Sequence, residues 1–156
     1  MLNDIGPEIG RGGAAFVRSF LVRDPALPSL DACVAFLRET LPPLSLDGEE
    51  DWRTMARLTY EPGGDGRWHP IWDRRIARLL DERVPELWTH FGALADIPLM
   101  IVHGAESAIL LPDTIERMQA GRPDLVLTTL PGVGHAPTLR EPAVTASVRA
   151  FLQRHG

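Results

Sequence analysis

The chain is 156 residues long and 44% apolar, enough for a real core in the size range of one domain. Its net charge of −5, with acids and bases interleaved, excludes the clustered positive surface that nucleic acid demands. No stretch nears the roughly 20 consecutive apolar residues of a membrane-spanning helix. A single cysteine, Cys33, permits no internal disulfide. A charged N-terminus followed by glycine-rich sequence offers no signal-peptide core, so the expected location is the cytoplasm. All sixteen basic residues are arginine, which reads as a compositional bias.

Residues 11 to 59 hold three helical patterns separated by proline-rich connections, with no convincing strand. Ser29 is placed to cap the helix running to Leu41, and Cys33 lies on that helix's apolar face as an expected buried thiol. Pro42-Pro43 breaks the chain before the next helix, which carries Trp52, Met55 and Ala56. Asp47, with Glu50 three residues on, resembles a capping box opening that helix. Glu61-Pro62-Gly63-Gly64-Asp65-Gly66 is a strong turn signal, and a further helix is expected from Asp73 to about Asp81.

Trp88, Phe91 and Leu94 read as one packed helix face, and Asp96-Ile97-Pro98 as the entry into a strand. The strand, Pro98 to Gly104, is a continuous apolar run of the kind buried on both faces. A helix from Pro112 to Ala120 follows, with proline in its first turn and Gly121 at its end. Leu125 to Leu130 is a second strand. Glu141 to Gln153 is a closing helix with Val144, Val148, Phe151 and Leu152 on its buried side. Two parallel strands joined by a crossover helix imply an α/β sheet.

The segment with the most chemistry is Leu130-Pro131-Gly132-Val133-Gly134-His135-Ala136-Pro137. It presents one histidine on a glycine-flanked turn between strand and helix, where positive φ and close backbone approach lift an imidazole above a sheet edge. None of the five serines lies in a Gly-x-Ser-x-Gly setting, so no nucleophile accompanies it. His103 directly follows an apolar strand and reads as a satisfied structural histidine. His69, His90 and His155 share no metal-ligand spacing, so neither metal nor cofactor is implied.

The strand ending in His103-Gly104, the strand after it and the Pro-Gly-Val-Gly-His-Ala-Pro turn together resemble the C-terminal part of the α/β-hydrolase fold. The resemblance implies an incomplete α/β-hydrolase fold: residues 1–10 following a core strand, 11–95 a helical cap-like region with a return helix, and 96–156 the C-terminal core portion with the histidine loop. In that family the acid follows the penultimate strand and the histidine the last one, which makes His135 the inherited base. Related members commonly read Gly-x-x-Ser-Asp where this chain has Gly104-Ala105-Glu106-Ser107-Ala108, so Ala108 stands at the expected aspartate. Two substitutes present themselves. Glu106 is two residues away, with a solvated surface carboxylate as its plain reading, and Asp4 follows the preceding strand, with a turn-forming aspartate as its plain reading.

Trp52, Trp68, Trp72 and Trp88 fall in or beside the cap-like region, where they either line an apolar pocket or simply pack. The family implies hydrolysis of an ester, amide or carbon–carbon bond, acting on a small apolar or ester-like substrate once an N-terminal half supplies the nucleophile. Alone, the chain is expected not to turn over. The alternatives are a non-catalytic binding module and a complementing or self-associating subunit, the latter through an unpaired edge on the Leu99–Val102 strand.

Overall fold

The computed structural model describes residues 1–80 and 87–156. In chain order its elements are β1 (Leu2–Asn3), α1 (Arg11–Leu21), α2 (Leu30–Thr40), α3 (Glu49–Thr59), β2 (Tyr60–Pro62) and β3 (Trp68–Pro70). There follow a 3-10 helix (Arg74–Leu80), α4 (Trp88–Gly92), β4 (Met100–Gly104), α5 (Pro112–Gly121), β5 (Val126–Leu130) and α6 (Pro142–His155). They form two compact units, one of Met1–Ala15, Pro42–Ser45 and Arg83–Gly156, the other of Phe16–Leu41 and Leu46–Glu82.

The first unit is built on a parallel sheet of order β1-β4-β5. Every residue of β4 is buried, as expected for a strand covered on both faces. Its side chains alternate between two cores. Ile101, with Leu99 just before the strand, joins Leu110, Ile115, Met118 and Phe91, while Met100 and Val102 join Leu130, Val133 and Val144. Each such fully buried aliphatic side chain contributes about 1.5–3 kcal/mol. The Leu99–Val102 segment, expected to carry an exposed edge, belongs instead to the middle of the sheet, with β1 and β5 at its flanks. Leu2 and Asn3, expected only to follow a strand, are strand residues themselves. In α6, Val144 is fully buried but Leu152 is 60% exposed. Val144, Val148 and Phe151 fall on one helical stripe, and Leu152 is turned about 100° away from Phe151.

The second unit packs α2 against α3 around Cys33, Val34, Leu37, Ala56 and Tyr60. Burial also pushes the Cys33 thiol's pKa up. Ser29 caps α2 as its position dictates, its hydroxyl accepting from the Ala32 N–H at 3.1 Å. The capping box at Asp47 is absent. The helix starts a residue later, with Gly48 at the cap and no side-chain bond, and Glu49, Glu50 and Asp51 instead place negative charge in the first turn, where the helix dipole favours it.

The turn around Gly63–Gly66 joins β2 and β3 into an antiparallel hairpin that the sequence reading missed. Gly66 takes a positive φ of 77°, which only glycine adopts without strain. The helix expected from Asp73 is the tighter 3-10 form, and the last expected residue, Asp81, lies outside the described residues. Among the described residues, no helix is long and apolar enough to cross a membrane.

Candidate catalytic site

At the C-terminal ends of the parallel strands, the sheet unit gathers three chain segments. β1 delivers Asp4, β4 delivers His103 and Gly104, and the turn after β5 delivers His135. Parallel α/β sheets present chemistry at this end because the loops there fan out from fixed strand termini.

Asp4 has no exposed surface. Its backbone N–H continues the β1–β4 ladder to the Val102 carbonyl at 2.7 Å. Its φ of 53° is left-handed, a region in which aspartate is several-fold enriched among non-glycine residues. That twist turns the carboxylate over the end of β4. Oδ1 accepts from the Gly104 N–H at 3.1 Å, and Oδ2 accepts from His135 Nδ1 at 2.9 Å. A buried carboxylate is tolerable only with such donors around it.

His135 is held from its backbone side by close packing that only glycine permits. A Cβ on Gly104 would lie 2.5 Å from the carbonyl oxygens of both Val133 and Gly134. The Gly134 N–H donates to the Pro43 carbonyl at 2.7 Å, and the Glu106 N–H to that of Val133 at 2.9 Å. With Nδ1 committed to Asp4 and a third of the side chain exposed, Nε2 has no hydrogen-bond partner among the described residues.

Of the two substitutes for the missing aspartate, the structure brings Asp4 to His135 and leaves Glu106 exposed. Ala108 is exposed in the same loop, and its carbonyl sits where a Cβ on Gly10 or Gly13 would collide with it, at 2.2 and 2.4 Å. Ser107 is buried, and its hydroxyl oxygen accepts from the Ile109 and Leu110 N–H groups, which shapes the loop. Among the described residues no serine hydroxyl is bonded to His135. His103, expected to be fully satisfied, is so at one nitrogen. Nε2 donates to the Leu110 carbonyl at 3.1 Å and lies 4.0 Å from Asp4 Oδ1, while the buried Nδ1 has no partner among the described residues. Its location directly behind the acid is visible in the sequence only as the residue before Gly104.

Among the described residues, no group of three or more histidine, cysteine or carboxylate side chains could hold a metal ion. His69 does sit between two carboxylates in the helical unit. Its Nδ1 is 3.0 Å from Asp24 and its Nε2 3.1 Å from Asp65.

A carboxylate behind one imidazole nitrogen, the other left open, at the strand ends of a parallel sheet, is an arrangement that can do acid–base chemistry. Comparison with known proteins gives the fold class. The chain is 32% identical to an α/β hydrolase from Novosphingobium aromaticivorans, with a TM-score of 0.85 over 98% of this chain and 55% of that one. A hydrolase structure from Rickettsia typhi shares the fold at 21% identity, with a TM-score of 0.87 over 99% of this chain and 53% of that one. In sequence the chain is 28% identical to the 3-hydroxybutyrate-oligomer hydrolase of Cupriavidus necator, across 97% of its own length and 55% of that protein's. No family model matches it. The chain thus has a partial, C-terminal-like α/β-hydrolase fold, spanning about half the length of the relatives it matches.

Proposed function

We propose that the chain supplies the acid and base of an ester-hydrolysing α/β hydrolase, Asp4 as the acid and His135 as the base, with the nucleophile on residues outside these 156. The observation that carries the reading is the Asp4 Oδ2–His135 Nδ1 hydrogen bond from a fully buried carboxylate. Held this way, His135 carries its proton on Nδ1 and turns the basic Nε2 outward. It would take the nucleophile's proton there, stand as imidazolium against Asp4 while the acyl-enzyme forms, and return the proton to the leaving alkoxide. The oxyanion donors would come with the nucleophile and are typically worth about 10²–10³ in rate.

The helical unit would be the cap-like region that the family resemblance implies, and the substrate a small ester-like one. The Cupriavidus relative makes a short hydroxyacid ester the first substrate to try. A cytoplasmic location belongs to the same proposal and draws on the buried, unpaired thiol of Cys33.

The test is hydrolysis of short- and medium-chain p-nitrophenyl esters, by the chain alone and mixed with a polypeptide carrying the Gly-x-Ser-x-Gly half of a relative. Activity only in the mixture, abolished by His135→Ala, is expected. Turnover by the chain alone, with one of its serines labelled by a phosphonate probe, would sink the view that the nucleophile lies elsewhere. A second reading, a non-catalytic binding or complementing subunit, is favoured by the lack of any serine hydroxyl bonded to His135 among the described residues. Self-pairing under that reading would use β1 or β5, the sheet's flanking strands. A mixture that forms a stable complex without turnover would select it.

A further inference from the structure

The helical unit holds a cavity of about 430 Å³ between the C-terminal half of α1 and the 3-10 helix. Arg18, Arg74, Arg75 and Arg78 line it, against one carboxylate among the described lining residues, Asp73. In a chain of net charge −5, this is a local reversal of sign. Other arginines of the unit meet acids as well: Arg38 bonds Glu49 at 2.7 Å, Arg57 bonds Glu50 at 3.0 Å, and Arg53 bonds Asp31, and in the lining itself Arg18 is engaged.

The cavity's own acid is already taken. Arg75 Nε lies 3.0 and 2.8 Å from the two Asp73 oxygens, and this clamp holds the Asp73 carboxyl down at about 2. Arg74 and Arg78 make no side-chain hydrogen bond or close ion pair among the described residues, although the charge of Arg74 is felt by Asp24 and that of Arg78 by Asp73. They are four residues apart, a rise of about 8 Å at roughly 2 Å per residue in a 3-10 helix. Between them Ala77 is buried, and with Val22 it gives the cavity an apolar wall.

We propose that this cavity binds a small aliphatic dicarboxylate, one carboxylate taken by Arg74 and the other by Arg78, with its short carbon chain against Val22 and Ala77. Guanidinium groups suit the task because each offers two parallel N–H donors to a carboxylate and stays charged at any working pH. Two separated guanidiniums whose N–H groups make no hydrogen bond among the described residues favour two anionic ends over one. The site is independent of the ester-hydrolysis reading and needs no turnover to be observed.

Calorimetric titration of the full chain with succinate at low ionic strength tests it, with butyrate and inorganic phosphate as parallel ligands. Saturable one-site binding of succinate is expected, at least five-fold tighter than either. The Arg74→Gln/Arg78→Gln double variant should weaken it ten-fold or more, and the Lys/Lys variant should fall between, keeping charge but losing the paired donors. Arg57→Gln, which breaks an ion pair elsewhere in the same unit, should leave it within two-fold. Circular dichroism of each variant checks that these exposed substitutions keep the fold. Absence of binding to the wild-type chain, an equal loss in Arg57→Gln, or an unaffected double variant would overturn the site. Phosphate binding as tightly as succinate would overturn the dicarboxylate assignment.

Discussion

Among the described residues two histidines hydrogen-bond to aspartates, and they do so in opposite ways. His135 in the sheet unit gives one nitrogen to a carboxylate with no exposed surface and keeps the other open. His69 in the helical unit gives Nδ1 to Asp24 and Nε2 to Asp65, so neither nitrogen is left for a proton in transit. The difference teaches what separates the proposed base from a staple. Residue types are the same, but a proton carrier needs one committed nitrogen and one open one, whereas a staple is strongest as imidazolium with both N–H groups donating.

The largest effect should come from breaking the first pair. In a complemented, active assembly, Asp4→Asn should lower kcat by about 10⁴, the penalty for an imidazole presented in the wrong tautomer. In the isolated chain, the same substitution should abolish the slowly exchanging His135 Nδ1 proton in an NMR spectrum. A surviving signal would mean that Asp4 does not hold the ring. Next, Gly104→Ala forces a Cβ to within 2.5 Å of two backbone carbonyls. The expected cost is about 2 kcal/mol in denaturant unfolding, with loss of the His135–Asp4 contact, since neither carbonyl belongs to a flexible side chain.

The staple should show itself through pH. The hydrogen bond to Asp65, then the one to Asp24, raises the His69 pKa above its ordinary 6.5. Burial pushes Asp24 up, but its bonds from His69 and the Ala26 N–H outweigh this and leave it below 3.8, while the Arg67 N–H and then His69 lower Asp65 likewise. A raised histidine stabilises fully below about 6.5 and loses its contribution as pH climbs through the folded value; lowered aspartates stabilise above about 3.8 and lose theirs as pH falls through their folded values. Stability of the helical unit should therefore be greatest between these limits. His69→Gln should flatten the alkaline side of the profile, and an unchanged profile would remove the staple. Glu61, paired across the hairpin with His69, is a further carboxylate on the same face, and Glu61→Gln serves as its control. Smallest of all, Glu106→Gln should change stability by less than about 0.5 kcal/mol and leave the His135 proton signal in place, as expected of an exposed carboxylate with no hydrogen bond to His135 among the described residues.

The sheet unit was legible because its signals are long. Met100 to Gly104 is a buried run, Pro112 opens a helix in a way sequence reveals, and the glycines around His135 stand out by spacing. The helical unit's hairpin was not. Tyr60–Pro62 and Trp68–Pro70 are three residues each and end in proline, too short for a period of two to register. Asp47 misled because a capping box matches any acid three residues before a glutamate, and only the backbone decides whether the helix begins there or at Glu49. Asp4 could be named beside Glu106 as an acid for His135, yet sequence could not choose between them. The Asp4–His135 contact spans 131 positions and depends on a left-handed turn at Asp4 and on the missing side chain of Gly104.

Gly104 has a consequence for how such chains are sorted. It lies at the end of the middle strand, and by having no side chain it lets the turn after β5 close onto that strand end, while its N–H holds the carboxylate arriving from β1. A carboxylate one strand further out thereby reaches His135 Nδ1. Under the proposed assignment the loop after β4 need not carry an acid, and Ala108 would be a neutral change. On that assignment, a sequence scored as inactive for lacking aspartate at that loop would be misfiled whenever a glycine lets the histidine turn close and an acid stands on the far strand.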